Sequence, residues 1–346
     1  MKKGMILLLM VLVLIQPVSA MEFYAPPVPE QGQPYMPAET ETFAEGLWYV
    51  IRAAIGKLRP ELAEAAGACM GLIAVVLLTS LLKGFADTPG KVTELIAALS
   101  VSALLLGPSR NMLRAGVETV GELSAYGKLL LPVMTGALAA QGGITASAAL
   151  YTGSAFFLAV LSSLVSGIAV PLLWMYLCLC VANHIIGQKL LKDLQAFLKW
   201  LMTWTMKLTL YFFTGYMGIT GIVSGTADAA AVKATKIAIS GAVPVVGGIL
   251  SDASEAVLVG AGVMKSAAGV YGLLATLSVC VGPFLKIGAR YLLLKVTAGI
   301  CGVFGTKEPV SLIKDFSGVM GFVLAMTGTV CLLLMISIVC FMKELS

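Results

Sequence analysis

Long apolar runs alternate with short polar breaks along this chain, and the spacing of the breaks sets the predicted elements. Past Gly67 the runs fall at about 68–82, 92–107, 129–140, 148–170, 171–187, 200–223, 237–250, 256–285, 291–304 and 317–342. Runs near 20 residues match about 30 Å of hydrocarbon and predict membrane-crossing helices. The runs at 129–140 and 237–250 are too short to cross, and each carries Pro and Gly. They predict re-entrant or interfacial hairpins whose irregular backbone is sheltered by protein or lines a cavity.

Before the first run the pattern changes. Lys2 and Lys3 precede the apolar stretch Met5–Ile15, and Val18-Ser19-Ala20 follows, which predicts a signal peptide over residues 1–20. Residues 21–67 then read as an exported segment. Pro26, Pro27, Pro29, Pro34 and Pro37 predict loose structure up to about Phe43. From Phe43 to Ala65 apolar residues recur at three and four, as in an amphipathic helix on the outer membrane face, on a partner or on the bundle itself. Residues 68–346 form the polytopic domain.

Composition places the chain firmly in the membrane class. It has 346 residues, 59% of them hydrophobic and 12% charged, and a mean hydropathy of +0.96. Soluble domains carry about 25% charge. The net charge of +5 is scattered between apolar runs rather than clustered with aromatics, so no nucleic-acid partner is expected. Seven cysteines lie within or beside apolar runs without a CxxC pair, and His184 is the one histidine. No metal or cofactor site is expected from these. Cys178 and Cys180 read as apolar packing, and His184 as a hydrogen-bonded interfacial residue rather than a proton relay. No phosphate loop, Ser/His/Asp set or HExxH occurs, so the reading is not an enzyme and assigns no catalytic residue. Gly221 with Gly225, Ser163 with Gly167, and Gly299, Gly302 and Gly305 supply small faces for helix packing.

The two short runs resemble each other. Pro132-Val133-Met134-Thr135-Gly136-Ala137-Leu138 and Pro244-Val245-Val246-Gly247-Gly248-Ile249-Leu250 share P-V-x-x-G-x-L, 112 residues apart. Each follows a more polar stretch and precedes three long apolar runs, which marks repeats over 110–223 and 226–342. Three is odd, so the two units are expected to be inverted, as in many secondary transporters. The positive loops exchange places between the copies, in keeping with inversion. An exported N-terminus with crossings at 68–82 and 92–107 would, however, put the Lys189–Lys199 loop outside. Either 92–107 does not cross or a further crossing hides within 112–140.

Pro132, Gly136, Pro244, Gly247 and Gly248 are therefore the candidate hairpin residues, with Asp252 and Glu255 on one helical face just beyond. Two readings of these carboxylates stand. They form the first turn of a helix at the water interface, where the helix dipole favours them, or they line a polar path.

The stretches LLLPVMTGALAAQGGITASAAL (Leu129–Leu150), KATKIAISGAVPVVGGILSDASEAVLVGAGVMKSAAGVYGLL (Lys233–Leu274) and the C-terminal run ending MKEL resemble the stage III sporulation protein AE family of endospore formers. The resemblance covers most of the chain from about Leu129. It implies a multi-pass subunit of the mother-cell membrane, in the complex that joins mother cell and forespore and sustains late forespore development. The partners it implies are membrane lipid, other stage III membrane and ring subunits, and a cytoplasmic ATPase. Two alternatives remain open: a self-sufficient transporter, which an inverted repeat favours, and a passive platform for ring subunits.

Overall fold

In a computed structural model of the chain the apolar runs join into rods far longer than the runs themselves. The structure describes residues 26–38, 42–85, 90–242, 247–304 and 307–343, with side chains inside helices described except at 84–91, 220–266 and 304. The expected signal peptide lies outside the described residues. The helices are α1 (Phe43–Phe85), α2 (Gly90–Ala140), α3 (Ile144–Leu164), α4 (Val170–Ile186), α5 (Lys189–Ala242), α6 (Gly247–Phe304) and α7 (Lys307–Lys343). A π-helical turn, Val165–Ala169, carries α3 into α4 without interruption. Among the described residues there is no strand, so the bundle is all-α as expected. Among the described residues five segments are long and apolar enough to cross a membrane, the marks of a multi-pass membrane protein.

Proline does not break these rods. Pro60, Pro108, Pro132 and Pro283 all lie inside helices. Each removes one backbone hydrogen bond. In an apolar surrounding a full chain reversal would free many more N–H and C=O groups with no water to take them, so the helix runs on. Pro171 lies just after the π-helical turn inside the continuous rod, where it too removes one backbone hydrogen bond.

This corrects several sequence readings. The 129–140 run is no re-entrant hairpin but the last part of the 51-residue α2. The 148–170 and 171–187 runs are one 43-residue helix rather than two crossings. Runs 256–285 and 291–304 merge in α6, and the expected amphipathic helix 43–65 continues through 68–82 as α1. Residues 26–38 are ordered, with a 3-10 turn at Gln33–Tyr35 and a buried Tyr35.

Helix directions follow from which residues meet. A Cβ at Gly272 would lie 3.5 Å from Ile338, one at Gly328 3.4 Å from Phe284 and one at Gly321 3.2 Å from Tyr291, so α6 and α7 are antiparallel. Gly116 faces Val323 and Gly127 faces Leu334, which makes α2 and α7 parallel. Gly46 faces Leu274 and Glu61 pairs with Lys286, so α1 and α6 are parallel. The described residues thus form a meander of six rods. The α1–α2, α4–α5 and α6–α7 junctions share one end, and the α2–α3 and α5–α6 junctions share the other. Gly142 (φ 96°) and Gly187 (φ 68°) occupy left-handed backbone positions at two of these reversals.

Two consequences follow. With one rod over 144–186, the Lys189–Lys199 stretch lies at the same end as the α1–α2 junction, which removes the topological conflict. The two repeat units each contain two rods after the short run, and two is even. α3–α4 and α6 run the same way, as do α5 and α7, so these units are parallel and not inverted.

The core is built around α7, which packs on α2, α3, α4, α5 and α6. Leu312, Ile313, Phe316, Met320, Val323, Val330, Leu334, Ile338 and Phe341 are buried along it. Glycines on the neighbouring helices let it approach closely. A Cβ at Gly127 would stand 2.5 Å from Leu158 and 3.2 Å from Leu334, closer than packed atoms approach. Of the small faces read from sequence, Ser163, Gly167, Gly299 and Gly302 are exposed on the outside of this chain, and Gly221, Gly225 and Gly305 lie outside the described side chains.

Candidate functional site

Of the expected hairpin residues, the structure describes the side chains of Pro132 and Gly136, which lie within α2. Pro132 and Gly136 are exposed on the outer face of α2, with Thr135 Oγ1 donating 2.7 Å to the Leu131 carbonyl inside the same helix. Pro244 lies outside the described residues. Gly247 opens α6, and Gly248, Asp252 and Glu255 follow within its first turns. The side chains of these last four lie outside the described ones.

A polar cluster forms instead where α4, α5 and α7 meet near the end that gathers three junctions. His184 is buried, and its Nδ1 lies 2.7 Å from the Cys180 carbonyl one turn earlier. A carbonyl only accepts, so Nδ1 carries the hydrogen. Nε2 then faces Asp315 Oδ2 of α7 at 3.9 Å. That is too long for a hydrogen bond and short enough for a strong charge interaction once the ring is protonated. Buried Gln195 of α5 donates from Nε2 to Cys180 Sγ at 2.9 Å and also hydrogen-bonds the Asp315 carboxylate. Lys192 and Lys199 add positive charge around Asp315. The arrangement ties three helices through side chains and can bind or release a proton at Nε2 or the carboxylate. It holds no activated nucleophile. Among the described residues no three of His, Cys, Asp and Glu converge as metal ligands.

Part of this was legible. The reading of His184 as hydrogen-bonded holds for Nδ1, whose backbone partner is four residues away, but the ring is buried rather than interfacial. The partnership with Asp315 joins positions 131 residues apart, and no local pattern signals it. Asp315 itself gave the one available hint, a carboxylate two residues before the long apolar run 317–342.

A second polar zone lies halfway along α2 and α6, where the N-terminal segment is strapped to the bundle. The Gln31 backbone N–H donates to Glu122 Oε2 at 3.3 Å, and Thr119 Oγ1 donates to Gln31 Oε1 at 3.1 Å. Tyr271 donates to the Pro26 carbonyl at 3.2 Å. A Cβ at Gly282 would meet the Tyr35 ring at 2.8 Å, and Lys57 Nζ sits 5.0 Å from the centre of that ring. Lys286 of α6 pairs with Glu61 of α1 at 2.5 Å. Lys286, Gln31 and Tyr35 also line a cavity of about 250 Å³.

Comparison with known proteins puts a family to this architecture. The model of the family described as stage III sporulation protein AE matches residues 39–344, from just before α1 to the end of α7. A curated relative, the stage III sporulation protein AE of Bacillus subtilis (strain 168), is 20% identical over 252 residues, which are 73% of this chain and 63% of the relative. The chain thus aligns over less than two thirds of that relative's length. No solved structure matches. With the family match running through every described helix, the chain belongs to the stage III sporulation protein AE family.

Proposed function

We propose that this protein is a core multi-pass subunit of a membrane complex that links mother cell and forespore. The family is a sporulation family. The observation that carries the reading further is the asymmetry of the two ends. Lys83, Lys189, Lys192, Lys307 and Lys314 cluster at the end with three junctions, whereas the stretches around 140–144 and 242–247 contain no Lys or Arg. Under the positive-inside rule the basic end faces the mother-cell cytoplasm. There it is available to a cytoplasmic ATPase, and the opposite end faces the space between the membranes and its ring subunits. The work is that of a scaffold or conduit rather than a catalyst.

Deletion of the gene in its spore-forming host tests this. Cells are expected to complete engulfment and then stall, with vegetative growth unchanged and spores restored by the intact gene. A growth defect in rich medium with normal spore yield would point to a housekeeping transporter. In the same complementation Asp252→Asn and Glu255→Gln lower spore yield if these carboxylates line a path, and leave it unchanged if they are interfacial.

One observation favours a second reading. A buried histidine facing a carboxylate inside a membrane helix is a common element of proton-coupled carriers. Proton-driven flux by the purified protein alone in vesicles, abolished by Asp315→Asn, would establish it.

A further inference from the structure

We infer that Cys280, Cys331 and Met335 form a site between α6 and α7 for one soft monovalent metal ion, Cu(I). Cys331 and Met335 stand at i and i+4 on α7 and so share one face of that helix. The Cys331 thiol donates its hydrogen to Met335 Sδ, with the two sulfurs 3.9 Å apart. Cys280, on the antiparallel α6, hydrogen-bonds with Cys331 across the helix interface. Three sulfurs from two helices are thus joined through Cys331. Metal–sulfur bonds measure about 2.3 Å, so three sulfurs in a plane around one ion lie about 4.0 Å from each other. The Cys331–Met335 separation already meets that figure, and the three rotatable bonds of Met335 let its sulfur close the triangle with Cys280. Both cysteines are free and buried, while Met335 is partly exposed and gives an ion its way in. Cys280 and Cys331 are 51 positions apart, so no spacing motif announces the site.

Donor type and charge select the ion. Thiol and thioether sulfur suit Cu(I), whereas calcium and magnesium take oxygen ligands. Zinc also binds thiolates but holds four ligands in its structural sites. Among the described residues no third His, Cys, Asp or Glu joins the two cysteines. The surroundings are apolar as well, since α6 carries no charged residue from 266 to 285 and α7 none from 316 to 342. A net charge left there would be costly. One Cu(I) held by one thiolate, one thiol and one thioether is neutral overall, whereas a divalent ion would need both thiolates and would still lack its fourth ligand. Binding therefore breaks one S–H bond, forms three metal–sulfur bonds and sends one proton to solvent, with no electron transferred.

The test uses the full chain, reduced and in mild detergent, with Cys69, Cys178, Cys180, Cys301 and Cys340 replaced by alanine so that no other thiol competes. Cu(I) is supplied from a bathocuproine disulfonate buffer, and bound metal is counted by elemental mass spectrometry. This parent is expected to hold about one copper per chain and to leave zinc unbound at the same concentration. Copper is also expected to raise its unfolding temperature, as any ligand of the folded state does. Cys280→Ala and Cys331→Ala are expected to lose both effects. Met335→Leu keeps the volume of the side chain and removes only the sulfur. It is expected to unfold like the parent without copper and to bind copper roughly tenfold more weakly, so its loss is not one of fold. Copper retained by the Cys280→Ala/Cys331→Ala double variant overturns the site, and undiminished binding by Met335→Leu overturns the three-sulfur ligand set. Equal binding of zinc overturns the choice of a monovalent ion. A parent that takes no copper, and whose two thiols emerge joined as a disulfide when isolated without reductant, makes the pair a redox staple between α6 and α7 and overturns the metal site.

Discussion

The helix α7 and the continuous α3–α4 rod are nearly equal in length and apolarity, yet they do opposite things. Their best windows have mean hydropathies of 2.5 and 2.3, but half of the α7 window is buried in the protein and only 28% of the α3–α4 window is. In water such a difference would show as amphipathicity. In a membrane both lipid and protein interior are apolar, so hydropathy reports insertion and is silent about which face meets protein. What separates the two is the neighbours. α7 is met by glycines on α2 and α6, at Gly116, Gly127, Gly269 and Gly272, and it buries Ser317, Thr327 and Ser337 with their hydroxyls bonded to nearby carbonyls. The α3–α4 rod presents Ile144, Phe156, Ile168 and Met175 outward.

The sharpest way to break this comparison is to ask whether α3–α4 is one rod. Single cysteines at Ile144 and Gln188, in a background without the seven native cysteines, are expected to react with a membrane-impermeant thiol reagent from opposite sides of the membrane. Two crossings with a turn at Pro171 would place both on the same side. The outcome is all-or-none, and labelling from one side overturns the six-rod meander.

Packing gives the next largest effect. Phe316 is fully buried at the α7 core and Phe156 is 59% exposed on α3. Phe316→Ala is expected to cost about 2 kcal/mol or more in reversible unfolding in detergent or bicelles, below the roughly 3–5 kcal/mol of soluble cores because lipid rather than water is the alternative surrounding. Phe156→Ala is expected to change stability by less than about 0.5 kcal/mol. Equal effects would mean that α7 is no more central than α3–α4.

The one polar link between these elements offers a finer measurement. A double-mutant cycle of His184→Gln and Asp315→Asn is expected to give a coupling of roughly 0.6 to 1.7 kcal/mol, the usual size for polar pairs within membranes. A coupling indistinguishable from zero would mean that the 3.9 Å approach does no work in stability and that Asp315 is held by Gln195 alone.

These expectations also show where the sequence was readable. Membrane class and helical content followed directly from run length and composition. The rods did not, because Pro132 and Pro171 carry the weight of a break in soluble chains and lose it where lipid penalises every exposed peptide group. The small faces went astray for a related reason. A glycine pair marks a place where something can approach, and only the tertiary arrangement decides whether Gly116 or Gly167 is approached. The N-terminal segment escaped too, since its prolines suit a rigid extended strap as well as a loose tail, and the seats for Gln31 and Tyr35 lie far along the chain at Thr119, Glu122 and Gly282.

Pro132 is the position where the two accounts differ most while the expected effect is smallest. As the apex of a re-entrant hairpin it would hold a turn that only proline permits, and replacing it would let a helix form and push the 129–140 run through the membrane. Within α2 it is an exposed residue that lacks one donor in an otherwise continuous ladder. Leu131 and Met134 on either side are fully buried and fix the helix whether or not that hydrogen bond exists. Pro132→Ala restores the N–H and a better helix former. It is therefore expected to insert with unchanged topology and to be at least as stable as wild type, by no more than about 1 kcal/mol, since the bundle has already accommodated any kink. Thermal unfolding alongside thiol labelling at Ile144→Cys reads both quantities from one preparation. If Ile144→Cys changed sides in the Pro132→Ala background, the rod would be the wrong description and the hairpin the right one.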